Sequence, residues 1–315
     1  MAKQFRLGLI GARGYVGSEL IRLIQNHPNI ELAYVSSRER EGQLLTDFEP
    51  YAPAGMHYVN VSPEQALELS ADVVVLALPN NLAENWVSVF DANHSKALII
   101  DLSADYRFDS SLFYGLAELT RDTYQGQRRI SNPGCYATAM QLAIHPLKDY
   151  IASSVQCFGV SGYSGAGTKA SDKNNPDKLQ DNLMPYALVN HIHEREVARY
   201  MGCDIHFMPH VASHFRGLSI TTNIQLNQKL DIEFIKQCYQ QTYKNEAFIS
   251  VVESAPWVTS VINTPNAILG GFTLSEDGKR LVVVSVIDNL LKGAASQALQ
   301  NINLGFGLPE QQGIL

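Results

Sequence analysis

An α/β fold in two parts is predicted by the sequence: a parallel, doubly wound sheet in the N-terminal half, then an α+β domain. Three observations carry this. Apolar runs alternate with amphipathic stretches over residues 1–145, a glycine-rich turn joins the first strand to the first helix, and a strict period-two pattern appears late in the chain. Phe5–Ile10 reads as a strand and Tyr15–Gln25 as a helix with Val16, Leu20, Leu23 and Ile24 on one face. Residues 30–35, 73–78 and 97–102 are further strands, apolar on both faces as buried parallel strands are. Residues 130–146 place an apolar helix after a Pro-Gly turn. Leu218, Ile220, Thr222, Ile224 and Leu226 then alternate with polar residues, the pattern of a sheet with one covered face, more often antiparallel than parallel. A helix follows over 231–246, with Ile232, Ile235, Tyr239 and Tyr243 inward, then a strand over 281–287. A last helix over 289–303 aligns Leu290, Ala294, Ala298 and Ile302, and is expected to return to the first domain. The polar stretch 168–182 reads as the one loose region.

With 315 residues, two domains are expected and the interior suffices for a core without staples. The 24 Lys+Arg against 31 Asp+Glu give a net charge of −7, which argues against nucleic acid as a partner. No apolar run approaches the length that spans a bilayer, so no membrane segment is expected. The glycine-rich turn begins within eleven residues of the N-terminus, which leaves no room for a signal peptide, and a cytoplasmic location is expected. Cys135, Cys157, Cys203 and Cys238 lie far apart without metal-ligand spacing; they read as reduced thiols, and no metal is expected.

After the first strand, Gly11, Gly14 and Gly17, with Arg13, Tyr15 and Val16 between them, lead into the first helix. Glycines there permit a tight turn and close approach of the backbone to a pyrophosphate on the positive end of the helix, as in a Rossmann-type domain. Their spacing is one residue wider than the commonest fingerprint. The end of the second strand selects the dinucleotide: an NAD site places a carboxylate there, whereas this chain has Ser36, Ser37 and Arg38, hydroxyls and a guanidinium suited to a 2′-phosphate. NADP is therefore expected. Cys135 follows the Pro-Gly turn at the head of its helix, where the dipole favours a thiolate, the nucleophilic form. A thiol and a reducing nicotinamide together suggest acyl and aldehyde interconversion through a thioester.

At these residues the chain resembles the N-acetyl-γ-glutamyl-phosphate reductase family, NADPH-dependent enzymes of arginine biosynthesis related to aspartate-semialdehyde dehydrogenases. The likeness runs in order through residues 11–17, 101–107, 114–118, 130–146 and 161–167, His191 and His193 with Glu196, Arg216 with Gly217, and 288–301. Two departures stand out: Thr168 occupies a position where the family usually has a basic residue, with Lys169 next to it, and His214 is an additional histidine. The resemblance implies a Rossmann-type NADP-binding domain, residues 1–147 with 289–315, and an α+β catalytic and dimerisation domain of the semialdehyde dehydrogenase type, residues 148–288. It implies a homodimer or homotetramer, and reduction of N-acetyl-L-glutamyl 5-phosphate to the 5-semialdehyde through a thioester on Cys135. It also implies that Gly162, Ser164, Gly165 and Asn289 contact the cofactor.

For such a substrate, Arg107 and Arg216 are the candidate cations, each with a surface ion pair as the alternative, and Asn132 with the first amides of the Cys135 helix would hold an oxyanion. An acid near neutral pH is needed for the aldehyde oxygen. His193, with Glu196 as its orienter or as a substrate ligand, is preferred; His191 and His214 are rivals. His191 and His193, with one residue between them, are not expected to share a face of a helix, so only one of them is expected to reach Cys135. An aspartate-semialdehyde dehydrogenase, or a catalytically silent NADP-binding sensor on the same fold, are the alternative functions.

Overall fold

The structure is a computed structural model and describes residues 4–108 and 110–315. The chain divides into two compact units, Met1–Pro133 with Ala294–Leu315, and Gly134–Gly293.

In the first unit, β1 (Phe5–Ile10), α1 (Tyr15–Gln25), β2 (Ile30–Ser36), β3 (Tyr58–Val59), α2 (Pro63–Glu68), β4 (Val73–Leu76), α3 (Ala83–Ala92), β5 (Leu98–Asp101), β6 (Phe113–Tyr114), α4 (Ala117–Thr120) and β7 (Arg129–Ser131) follow in order. The strands form one sheet, β3-β2-β1-β4-β5-β7-β6, and every pairing is parallel. All of β4 is buried, which explains its unbroken apolar run. Strand order reverses between β1 and β4, the switch point where such sheets open a crevice beyond their carboxyl ends. The buried face of α1 is Gly17, Leu20, Ile21 and Ile24, rotated from the predicted stripe. Gly17 causes the rotation: a Cβ there would lie 2.6 Å from the Ala12 carbonyl oxygen, so the helix presses its glycine, not Val16, onto the turn.

The helix predicted over 289–303 instead begins as a π-helical turn, Leu291–Ala295, and continues as an α-helix, Ser296–Phe306. That α-helix is buried almost all round, although it carries Gln300, Asn301 and Asn303. Its amides are paired: Asn301 Nδ2 donates to Asn132 Oδ1 (2.8 Å), and Asn303 Oδ1 meets His27 Nε2 (3.0 Å).

The second unit opens with α5 (Cys135–Ile144), followed by β8 (Val155–Gly162), α6 (Pro176–Leu179), β9 (Leu183–Pro185), α7 (Ile192–Met201), β10 (Ile205–Ala212), β11 (Leu218–Gln225), α8 (Ile232–Thr242), β12 (Ile249–Val251), β13 (Ala267–Leu274) and β14 (Arg280–Ile287). Its mixed sheet runs β12-β13-β14-β11-β8-β10-β9. β11 is antiparallel to both neighbours and buries Leu218, Ile220, Thr222 and Ile224, the face its alternation predicts. From Tyr136 to Ile144 every residue of α5 is buried, so the helix is apolar all round. Tyr239 and Tyr243, on the inner side of α8, donate to the Ala143 and Leu142 carbonyls at its end. The predicted inner face of α8 holds at Ile235, Tyr239 and Tyr243, while Ile232 is half-buried.

The stretch 168–182 is ordered, contrary to expectation. Asn174 accepts from the Ser171 amide (2.8 Å) and donates to the Gly167 and Lys169 carbonyls (2.8 Å each), and Asn175 caps α6. Side-chain amides here do locally what a hydrophobic pattern would have announced. Among the described residues no helix is long and apolar enough to cross a membrane.

Candidate active site

Cys135 is the first residue of α5 and the only one of that helix that is not buried. Gly134 caps the helix in an extended conformation (φ −71°, ψ 151°), and its amide donates to Glu196 Oε1 at 2.9 Å. Glu196, on α7, is fully buried, and its Oε2 lies 4.0 Å from His193 Nε2 one helical turn earlier. One carboxylate thus connects the cap of the cysteine helix with the imidazole of His193. The expected spacing of Glu196 and His193 on one side of a helix holds.

The expectation that His191 and His193 cannot share a face fails. His191 is the N-cap of α7, outside the helix, with φ −60° and ψ 141°; its Nδ1 accepts from the His193 amide at 3.2 Å. The extended cap turns its ring back, so the two rings lie 4.9 Å apart and pack edge-on to Tyr136 at 6.4 and 6.0 Å. As an acceptor in this cap, His191 is needed in its neutral form. Burial, with the charge of Lys173 adding to it, pushes its pKa down to about 4. The Tyr136 hydroxyl donates to the His210 carbonyl (2.8 Å) and touches Tyr186 and Ser161. Burial raises the pKa of both tyrosines, and the charge of Cys135 adds to the rise, which marks both rings as neighbours of the sulfur.

Other expected residues are placed as follows. Arg216 makes a two-pronged ion pair with the fully buried Asp288 (Nε–Oδ2 2.7 Å, Nη2–Oδ1 3.1 Å). His214 Nε2 meets the Gly217 carbonyl at 3.1 Å within its own turn. Asn289 accepts from the Gly217 amide (2.7 Å) and donates to Ser164 Oγ (2.9 Å), lacing the 161–167 loop to the 214–217 turn. In that loop Gly162 has no room for a side chain, since a Cβ would meet the Phe215 carbonyl oxygen at 2.6 Å, whereas Gly165 is exposed.

In the first unit, Arg107 is buried and donates to the carbonyls of Asn132 (2.8 Å) and Leu102 (2.7 Å). Asn132, also buried, accepts from Asn301 and donates to the Pro133 carbonyl. The glycine turn fits a dinucleotide. Gly11 has φ +79° and a Cβ there would strike the Ala77 carbonyl oxygen at 2.1 Å, so protein packing demands it. At Gly14, the cap of α1, a Cβ would meet only the Gly11 carbonyl oxygen at 3.6 Å. That space beside the helix N-terminus is where a pyrophosphate would approach. Arg13 pairs with Glu39 (2.9 Å); Tyr15 and Val16 are half-buried in the first turn of α1. Ser36 and Ser37 are buried, the Ser36 hydroxyl accepting from the Val61 amide at 3.4 Å, while Arg38 is exposed. Arg40, two residues on, lies 3.8 Å over the Phe48 ring.

Sequence reasoning missed Tyr136, Tyr186, Asp288 and Gly293. A Cβ on Gly293 would come within 2.6 Å of the Cys135 Cβ, so the glycine leaves room for the cysteine. Its signal is faint, a glycine in a run of small residues after Lys292. No sequence signal singles out Tyr186. All four cysteines are free thiols, and no group of metal-ligating side chains occurs among the described residues.

Residues 6–127 match the family of the semialdehyde dehydrogenase NAD binding domain, and residues 135–289 that of the semialdehyde dehydrogenase dimerisation domain. A protein of Stenotrophomonas maltophilia named N-acetyl-gamma-glutamyl-phosphate reductase is 56% identical over 97% of this chain and 96% of its own length. One of the same name from Xanthomonas euvesicatoria pv. vesicatoria is 53% identical over 99% of both. Among solved structures, aspartate semialdehyde dehydrogenase from Francisella tularensis superposes with a TM-score of 0.77 at 21% identity, over 96% of this chain and 99% of that one. Aspartate semialdehyde dehydrogenase II from Vibrio cholerae gives 0.76 at 18%, over 96% and 98%. At such identities these structures establish the fold alone, and the sequence relatives establish the branch. The chain belongs to the semialdehyde dehydrogenase family, among the N-acetyl-γ-glutamyl-phosphate reductases.

Proposed function

We propose that the protein catalyses NADPH-dependent reduction of N-acetyl-L-glutamyl 5-phosphate to N-acetyl-L-glutamate 5-semialdehyde and phosphate, through a thioester on Cys135. The observation that carries this reading is Cys135 itself, the one partly exposed residue at the positive end of a buried helix, with its cap tied through Glu196 to His193. The helix end favours a negative sulfur, which attacks the acyl carbon and expels phosphate. First-turn amides of α5 receive the oxyanion of the tetrahedral adduct. Bound NADPH supplies the hydride. His193, oriented by Glu196, gives a proton to the oxygen of the reduced carbon and takes it back as the C–S bond breaks, releasing the aldehyde and the Cys135 thiolate. His191, whose Nδ1 accepts within its cap and whose charge burial opposes, suits that role less well, and His214 is engaged within its own turn.

The cofactor residues would be the glycine turn Gly11, Gly14 and Gly17 for the pyrophosphate and Arg38 for a 2′-phosphate, which makes NADP the preferred dinucleotide. The dimerisation-domain match supports a homodimer or homotetramer, and a cytoplasmic location suits the chemistry. Against an aspartate-semialdehyde dehydrogenase stands the difference in likeness: 53–56% identity to reductases, against 14–21% to the dehydrogenase structures.

The test is aldehyde oxidation with NADP⁺, offering N-acetyl-glutamate and aspartate semialdehydes side by side. Turnover of the N-acetylated substrate, dependent on inorganic phosphate, is expected. Preference for aspartate semialdehyde would overturn the assignment of substrate, and sustained turnover without phosphate would make water the acceptor and overturn the acyl phosphate.

A further inference from the structure

The ordered stretch 168–182 delivers a lysine that the reaction above does not use. Lys173, half-buried, places its Nζ 4.7 Å from the centroid of the Tyr186 ring. Tyr186 packs edge-on against His191 at 5.6 Å, and His191 lies 4.9 Å from His193. The ammonium therefore joins the cluster of rings that borders Cys135. Neighbouring lysines are placed otherwise: Lys178 pairs with Asp172 at 2.7 Å, and Lys169 is exposed. The backbone around Lys173 is held by the Ser171 and Asn174 bonds, so the charge is delivered by main-chain geometry. A tyrosine face attracts a cation without neutralising it, so the charge stays available to an anion.

We propose that Lys173 is a specificity-determining residue that contacts an anionic oxygen group of the substrate, its α-carboxylate or its phosphate. This rests on the acyl-phosphate reading above, whose substrate carries both anions. Two features of the structure agree. Arg216, one of the two cations expected to meet the substrate, shares its charge with Asp288, which leaves a part for another positive group in the second unit. The charge of Lys173 also helps to keep His191 neutral, which leaves the proton to His193. A lysine serves either anion, since it acts as a point charge and needs no planar partner.

Lys173→Met keeps the apolar stem over Tyr186 and removes the charge; Lys173→Arg keeps the charge. Both are assayed in the aldehyde-oxidising direction, varying N-acetyl-glutamate semialdehyde, phosphate and NADP⁺ in turn. The Met variant should raise the KM for the semialdehyde or for phosphate by about tenfold, with kcat within about threefold and the KM for NADP⁺ unchanged. Arg should restore most of the loss. A rise for the semialdehyde identifies the carboxylate as the ligand, and a rise for phosphate identifies the phosphate. Unchanged KM values for both, or a fall in kcat alone, would overturn the inference while leaving the reaction in place. Failure of the wild type to oxidise this semialdehyde would overturn the reaction and the inference with it.

Discussion

The proposed preference for NADP rests on a single exposed side chain, Arg38. At the end of β2 and just beyond it, Ser36 and Ser37 are buried and Arg40 is stacked on Phe48, while Arg38 projects into solvent near the glycine turn's end of the sheet. Arg38→Leu should raise the KM for NADPH about tenfold or more and leave that for NADH within about twofold, because only the 2′-phosphate loses a charge-assisted partner. Steady-state kinetics with both cofactors checks this, and equal effects would place the phosphate elsewhere. A Ser36→Asp exchange is a poor test, since burying a carboxylate at this position would destabilise the sheet. His191 and Cys135 were legible as chemistry-bearing residues in the sequence. That His191 serves as a neutral helix cap was not, because its ring direction follows from an extended backbone that residue type alone does not announce.

Among elements, α5 carries Cys135 and the π-helical turn at Leu291–Ala295 brings Gly293 against it. α5 was readable from residues 130–146, since a helix buried on every side is apolar on every side. The turn was not, and its widened geometry depends on the Gly293 amide donating to the Asp288 carbonyl (2.9 Å), five residues back, where an α-helix would bond four back. Asp288 holds this turn from its start: its carboxylate accepts from the Leu290 amide (2.9 Å) as well as from Arg216. Because a Cβ on Gly293 would stand 2.6 Å from that of Cys135, Gly293→Ala must displace the sulfur or the turn. A misplacement of this size should lower kcat/KM by about 100-fold while the cofactor still binds. Kinetics and NADPH titration of the folded variant check it; wild-type activity would show that the turn yields without moving the thiol.

Across the whole molecule, stability should depend on pH through histidines that the fold keeps neutral. Burial lowers the pKa of His27, His145 and His191 below the ordinary 6.5. Each binds a proton less readily folded than unfolded, so the folded state loses stability as the pH falls below about 6.5, for His191 down to about 4. Buried Asp101 and Glu49, whose pKa values rise, act in the opposite sense at acid pH, so the comparison must isolate one group. His191→Asn does so, because asparagine caps a helix equally well and does not titrate. Denaturant unfolding at about pH 7.5, 6 and 5 should show near-equal stability at the highest pH and a smaller acid loss in the variant; identical pH slopes would mean that His191 does not titrate in this range. By itself the sequence determined the parallel half, the glycine turn on the first helix, the alternating strand β11 and the cysteine at the head of a buried helix. Each of these is a local signal, a period or a turn between adjacent elements. Only the tertiary structure decided that Glu196 ties His193 to the cap of the cysteine helix, that Arg216 is shared with Asp288, that Gly293 makes room for Cys135 and that Lys173 overlies Tyr186. Most of these partners are distant in the chain, and packing, which leaves no periodic trace in the sequence, brings them together.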